Sequence, residues 1–194
     1  MARGIEVVGP LYLDVETQRT FDEVGGRGRL SALGLALAVT YDAGTGAFAT
    51  YTEDRVEELV ASLQAASLVV GFNILGFDYP VLQAYTSVPL RTLPTLDLLE
   101  AVRAKLGFRV SLDNLARGTL GVGKTGDGLQ AVAWFRQGRL AEVAEYCRAD
   151  VDLLRRLCEH AVRRGYLYYV DSHGRPRRVL LSLPSHLLPE PLAR

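Results

Sequence analysis

Four carboxylates in three separated clusters carry the chemistry that this chain could perform. Asp14 and Glu16 lie in Leu11-Tyr12-Leu13-Asp14-Val15-Glu16-Thr17, Asp78 follows Asn73-Ile74-Leu75-Gly76-Phe77, and Asp150 closes Tyr146-Cys147-Arg148-Ala149-Asp150. Each adjoins an apolar stretch, where an isolated acid is costly to bury. Acids held in such surroundings usually share a cation. Hard oxygen ligands in this number suit Mg²⁺ or Mn²⁺, and two such ions can cut a phosphodiester.

The elements that position these residues follow from the patterning. Residues 11–15 form an apolar run with β-branched and aromatic members, read as a buried strand. Asp14 and Glu16, two apart on a strand, leave the same face. Residues 31–41 and 47–52 read as strands joined through Asp42-Ala43-Gly44-Thr45-Gly46, a hairpin turn. Thr52 is placed to cap a helix over 53–65, with Glu53 and Asp54 favouring its dipole. A brief strand over 68–70 runs into the Asn73–Asp78 segment, and a helix follows to Tyr85, with Pro80 tolerated in its first turn.

Pro89 and Pro94 bracket an extended piece ending at Asp97, and helices are predicted near 97–106, 111–118, 130–137 and 139–164. Residues 166–170 and 177–181 read as a terminal hairpin, and the proline-spaced end from Pro184 is expected to lie on the surface. This order implies an α/β fold whose central sheet contains an antiparallel pair. Residues 1–170 are expected to form the main domain, with 171–194 supplying a hairpin strand and tail.

Bulk composition narrows the function classes. A chain of 194 residues, 48% hydrophobic and 23% charged, is long enough for a substantial core and is not a disordered segment. Lys plus Arg and Asp plus Glu number 22 each, so any attraction to nucleic acid must come from local basic patches or bound metal. Cys147 and Cys158, eleven apart in one predicted helix, are separated by about 16 Å along its axis and cannot bridge each other. Two cysteines and the scattered His160, His173 and His186 argue against zinc. No signal peptide and no uncharged apolar run of membrane length is present, so a soluble cytoplasmic protein is expected.

Each cluster alone has a plain structural reading. Asp-x-Glu also suits a solvated strand terminus, Asp78 a helix cap, and Asn73 a turn. Tyr146 and Asp150, four apart, stack on one helix face, where a core tyrosine and an exposed acid would serve equally. The combination shifts the balance. A phenol beside a metal-bound water can orient it or accept its proton.

In order and spacing, Asp14-Val15-Glu16, Asn73 through Phe77-Asp78, and Tyr146 through Asp150 resemble the motifs of the DEDD (DnaQ-like) exonucleases. Position 145 is Glu rather than the histidine of the other branch, so the chain resembles the tyrosine branch, and its last two motifs look like the proofreading domain of family B DNA polymerases. The resemblance, over roughly residues 8–165, implies a ribonuclease H-like fold with a mixed central β-sheet flanked by helices. It implies a 3′–5′ exonuclease that releases nucleoside monophosphates from single-stranded DNA or RNA with a free 3′ end. Two Mg²⁺ or Mn²⁺ ions would be held by Asp14, Glu16, Asp78 and Asp150. Tyr146 would position the attacking water, and Thr17 and Asn73 would contact the terminal nucleotide. With no further module after the third motif, a free-standing relative is expected rather than a proofreading subunit.

Gly118-Thr119-Leu120-Gly121-Val122-Gly123-Lys124-Thr125 has the spacing of a phosphate-binding P-loop. Such a loop needs a buried strand before it and a helix after it, whereas Ser111–Arg117 reads as an amphipathic helix and Gly126-Asp127-Gly128 would break the second one. Lys124 is instead a candidate substrate-phosphate contact, or a surface turn. Trp134 and Phe135 could stack on a base, though at least one should be core. Asp97 could support the site or simply cap a helix. Arg175, Arg177 and Arg178 form a basic patch that suits either a nucleic-acid backbone or a charge-blunted edge strand. A non-catalytic nucleic-acid-binding domain of the same fold is the alternative to the enzyme.

Overall fold

Apolar residues on both faces of β1 (Leu11–Thr17) explain why it occupies the middle of the molecule. Leu11, Leu13 and Val15 enter one core, while Tyr12 enters another on the opposite side of the sheet. A strand buried on both faces must be covered by two helical layers. In this computed structural model, which describes residues 9–123 and 128–188, it is.

β2 (Leu35–Asp42) and β3 (Ala47–Thr52) extend the sheet antiparallel to β1 on one side. β4 (Val69–Gly71) and β5 (Thr95–Asp97) extend it in parallel on the other. The order is β3-β2-β1-β4-β5. α1 (Val56–Ala65) and α2 (Asp78–Leu82) cover the face that receives Leu13 and Val15. The other face is covered by α3 (Leu98–Leu106), α4 (Leu112–Leu120), α5 (Gly128–Arg136) and the long α6 (Leu140–Arg164). The hairpin β6 (Tyr166–Val170) and β7 (Pro176–Leu180) adds Leu167 and Val179 to that second core.

Three local expectations are corrected. The predicted strand over 31–41 begins only at Leu35, because Leu30–Ala32 form a 3-10 turn and Gly34, at φ +70°, reverses the chain before it. Thr52 does not cap the following helix; its hydroxyl bonds the Asp54 carboxylate at 2.6 Å, and Glu53–Arg55 wind as a 3-10 turn before α1. Of the end from Pro184, residues 189–194 lie outside the described residues, and the start of it is anchored at Leu187 rather than lying on the surface. Leu187 is buried, and its carbonyl accepts the hydroxyl of Tyr12 at 3.4 Å.

The P-loop alternative fails on geometry. Gly118, Thr119 and Leu120 are the last turn of α4, not a loop after a strand. Lys124 and Thr125 lie outside the described residues. Gly118 is there to let α4 approach β6: a Cβ would sit 2.6 Å from the Tyr168 carbonyl oxygen and 3.0 Å from the Tyr169 Cα. Those are backbone atoms and cannot swing aside. Gly118→Ala is therefore expected to destabilise the protein by about 1–3 kcal/mol in denaturant unfolding, outweighing the roughly 1 kcal/mol that alanine gains in a helix. An unchanged or higher midpoint would show that the contact is loose.

Candidate active site

The site is built where β1 parts from β4. The two strands pair only through Leu11–Val69 and Tyr12–Val70, so beyond Tyr12 a crevice opens at the carboxyl ends of the parallel strands. Asp14 and Glu16 share the face of Tyr12 and look toward α6. A bulge between Glu16 and Thr17 ends the regular ladder with β2 there.

Asp78 enters from the opposite layer as the first residue of α2. Its carboxylate accepts backbone hydrogen bonds from its own N–H and from that of Val15, which ties α2 to the strand carrying Asp14. Burial first, and the neighbouring Asp14 second, push its affinity for a proton well above the ordinary aspartate range. α6 brings Tyr146, Cys147 and Asp150 across the same gap, and all of them are buried. Only 4% of Asp150, 3% of Asp78 and 8% of Glu16 is exposed, so these acids are not the solvated strand end or helix face that each motif alone would allow.

The Cys147 thiol, one residue after Tyr146, donates to the Asp14 carboxylate at 3.3 Å and lies 3.4 Å from the Asp14 carbonyl oxygen. Burial and the Asp14 charge both favour its protonated form. Donor atoms of Asp14, Glu16 and Cys147 lie within 4.8 Å of one another. With the sulfur kept as a thiol, the available donors are carboxylate oxygens. That set fits Mg²⁺ or Mn²⁺ rather than a thiolate-bound zinc.

A cleft of about 500 Å³ opens over this cluster. Asp14, Glu16, Thr17, Tyr146 and Asp150 line it. Thr17 donates its hydroxyl to the Arg19 carbonyl at 3.0 Å. The walls are Arg19, Phe21, Arg27 and Phe77 on one side and Leu129 and Val132 of α5 on the other. Phe21 and Phe77 meet edge to face at 6.0 Å, with the Arg27 guanidinium 4.7 Å above the Phe21 ring. Glu23 in the same loop is joined to Arg136 at the end of α5 by an ion pair.

Asn73 is not among the residues lining the cleft. It holds a left-handed backbone (φ 66°), and its side-chain oxygen accepts Arg109 at 2.8 Å. Asp97 explains how such a residue is held: its carboxylate accepts the Asn73 N–H at 2.9 Å and the Leu75 N–H at 3.2 Å while capping α3 through Leu99 at 3.0 Å. The helix-capping role read for Asp97 is thus filled, and the same carboxylate holds the loop that leads to Phe77. Trp134 and Phe135 are half-buried against the core, and Trp134 meets Tyr146 edge to face at 6.3 Å. The Arg109 contact, the Cys147 contact and the aromatic wall were not visible in the motifs. The Gly- and charge-rich composition of residues 21–29 reads only as a loop.

The fold is a mixed five-stranded α/β sheet flanked by helices, and the family comparison agrees with it. The model of the RNase_H superfamily matches residues 11–162, and the chain belongs to that superfamily. Among solved structures, it is similar to RNase D of Trypanosoma brucei, with a TM-score of 0.56 and 14% sequence identity over 81% of this chain. The match spans 59% of that protein's chain, and at this identity the likeness is one of fold. Among proteins of curated function, no sequence matches. Among the described residues, no helix is long and apolar enough to cross a membrane.

Proposed function

We propose that this chain is a metal-dependent 3′–5′ exonuclease of the tyrosine branch of the DEDD group, acting on single-stranded DNA or RNA and releasing nucleoside monophosphates. The observation that carries this reading is the meeting of Asp14, Glu16, Asp150 and Tyr146 along one cleft, with Asp78 buried beside Asp14 behind it, from elements far apart in the chain. RNase_H superfamily membership and the RNase D likeness support a nuclease.

Asp14, Glu16, Asp78 and Asp150 would hold two divalent ions, which supply charge stabilisation for the attacking and leaving oxygens of an in-line displacement. The chain's own groups do the rest. Tyr146, on the cleft wall, is placed to orient the attacking water by its hydroxyl and to take part in its proton transfer. Thr17 faces the terminal nucleotide from the end of β1. Asn73 acts from beside the cleft through the loop that ends in Phe77. Phe77 and Phe21 offer apolar surface to a base, and Arg19 and Arg27 offer charge to phosphates. No covalent nucleophile is required.

The test is a digestion panel of 5′-labelled DNA and RNA, single-stranded and duplex, with Mg²⁺, with Mn²⁺ and with a chelator. The expected result is a ladder shortened stepwise from the 3′ end of single strands, with mononucleotide products, abolished by the chelator. Internal cuts, or no cleavage of any substrate with either ion, would overturn the reading.

A further inference from the structure

Phe108 is a large apolar side chain left 49% exposed on the turn that follows α3. An isolated exposed apolar residue needs no explanation, but this one has an ordered setting. Its ring meets that of Tyr169 in β6 edge to face at 5.8 Å. The β6–β7 register pairs Tyr169 with Arg177, and directly paired residues share a face of the hairpin. Arg177 bonds Asp171 through Nε at 2.8 Å. The same Asp171 carboxylate also accepts the backbone N–H groups of His173 and Arg175, so it serves as the bracket of the turn.

This face is physically joined to the loop at the cleft. Arg109, next to Phe108, donates to the Asn73 side chain at 2.8 Å. The Asn73 carbonyl in turn accepts the N–H of Phe77, a wall of the cleft, at 2.8 Å. Two aromatic rings flanked by two guanidinium groups, that of Arg177 paired with Asp171, are thus linked by hydrogen bonds through Asn73 to Phe77 on the wall of the cleft, on a protein whose net charge is zero. With no global attraction available, a polyanion must be drawn by local groups of this kind.

We propose that Phe108, Arg109, Tyr169 and Arg177 form a track that binds single-stranded nucleic acid several nucleotides upstream of the 3′ end. The proposal rests on the nuclease reading for its direction, and it adds a second site that the three acidic motifs do not contain. Rings of this type stack on any base, and arginines follow the phosphates, so the track binds without sequence preference. Its consequence is a length dependence: long strands are held at two places and short ones only at the cleft.

Binding separates the track from the chemistry. The full chain carrying Asp14→Ala is titrated, in chelator, with a labelled single strand of roughly 12 nucleotides, a length typical of single-strand sites, and with a dinucleotide. Adding Phe108→Ala should weaken binding of the long strand by about tenfold or more, the effect of losing one stacked base, while Phe108→Tyr retains it. Adding Arg177→Ala should lower the slope of log affinity against log salt by roughly 0.7, as for one lost phosphate contact on a single strand. Dinucleotide binding should not change in any of these variants. Undiminished long-strand affinity in both Phe108→Ala and Arg177→Ala overturns the track, and so does an equal loss for the dinucleotide, or no long-strand binding by the parent. Long-strand binding that depends on Phe108, in a parent protein that cleaves nothing, would sustain the track and reject the nuclease reading instead.

Discussion

Asp14→Ala is expected to lower cleavage of a single-stranded oligonucleotide by at least about 10³-fold, because losing a carboxylate that would hold the divalent ions would forfeit several kcal/mol of transition-state stabilisation and each 1.36 kcal/mol is tenfold in rate. Asp14 sits at the centre of the cluster: it bears electrostatically on Asp78 and on Cys147 and lines the cleft. The same substitution should leave the melting temperature in chelator unchanged or raised, since it relieves like charge beside a buried carboxyl.

The pH dependence supplies a second readout of that substitution. The folded-state pKa of Asp78 is raised by burial and then by Asp14. A group shifted upward in the folded state contributes stability that is fully present below its usual value of 3.8 and is lost as pH rises through the higher folded value. Without divalent ions, the parent should therefore lose stability as pH climbs from the ordinary aspartate range toward that higher value. The decline should be shallower in Asp14→Ala. Full cleavage by this variant would remove the proposed site altogether, whereas a lowered melting temperature would reject only the crowding argument.

Tyr146→Phe should slow turnover by roughly 10²-fold, the lower end of what a positioned acid–base group contributes. The phenyl ring would keep its edge-to-face contact with Trp134, so stability and metal binding should persist. The loss is expected in kcat rather than KM, because the role proposed for the hydroxyl is on the water and not on the nucleotide. An unchanged kcat would reduce Tyr146 to a packing residue of α6.

Much of this was legible in the residues because the relevant signals are local. Strand periodicity placed Asp14 and Glu16 on one face, and helical periodicity placed Tyr146 and Asp150 a turn apart. The long helix was predicted over 139–164 and spans Leu140–Arg164, since its apolar repeat and the closing Gly165 lie within one stretch of chain. Boundaries failed where competing contacts are tertiary. Leu30–Ala32 continues an apolar pattern, but Gly34 and the bulged end of β1 turn it out of the strand. Leu187 follows prolines that suggest a surface tail, but the buried Tyr12 hydroxyl captures its carbonyl. The Walker-like spacing begins at Gly118 inside the last turn of α4, and the reason for that glycine is the backbone of Tyr168, 50 positions later.

By itself, then, the amino-acid order determined which residues could do chemistry and which of them share a face of one element, because spacing along a helix or strand sets direction. Only the tertiary structure decided that the acids meet, that Asp97 holds Asn73 in its left-handed conformation, and that Cys147 rests on Asp14. It also decided that Phe108 meets Tyr169 of the terminal hairpin and that Arg109 reaches Asn73. Those contacts join residues that sit between 24 and 133 positions apart in the chain, and no periodicity reaches across such distances.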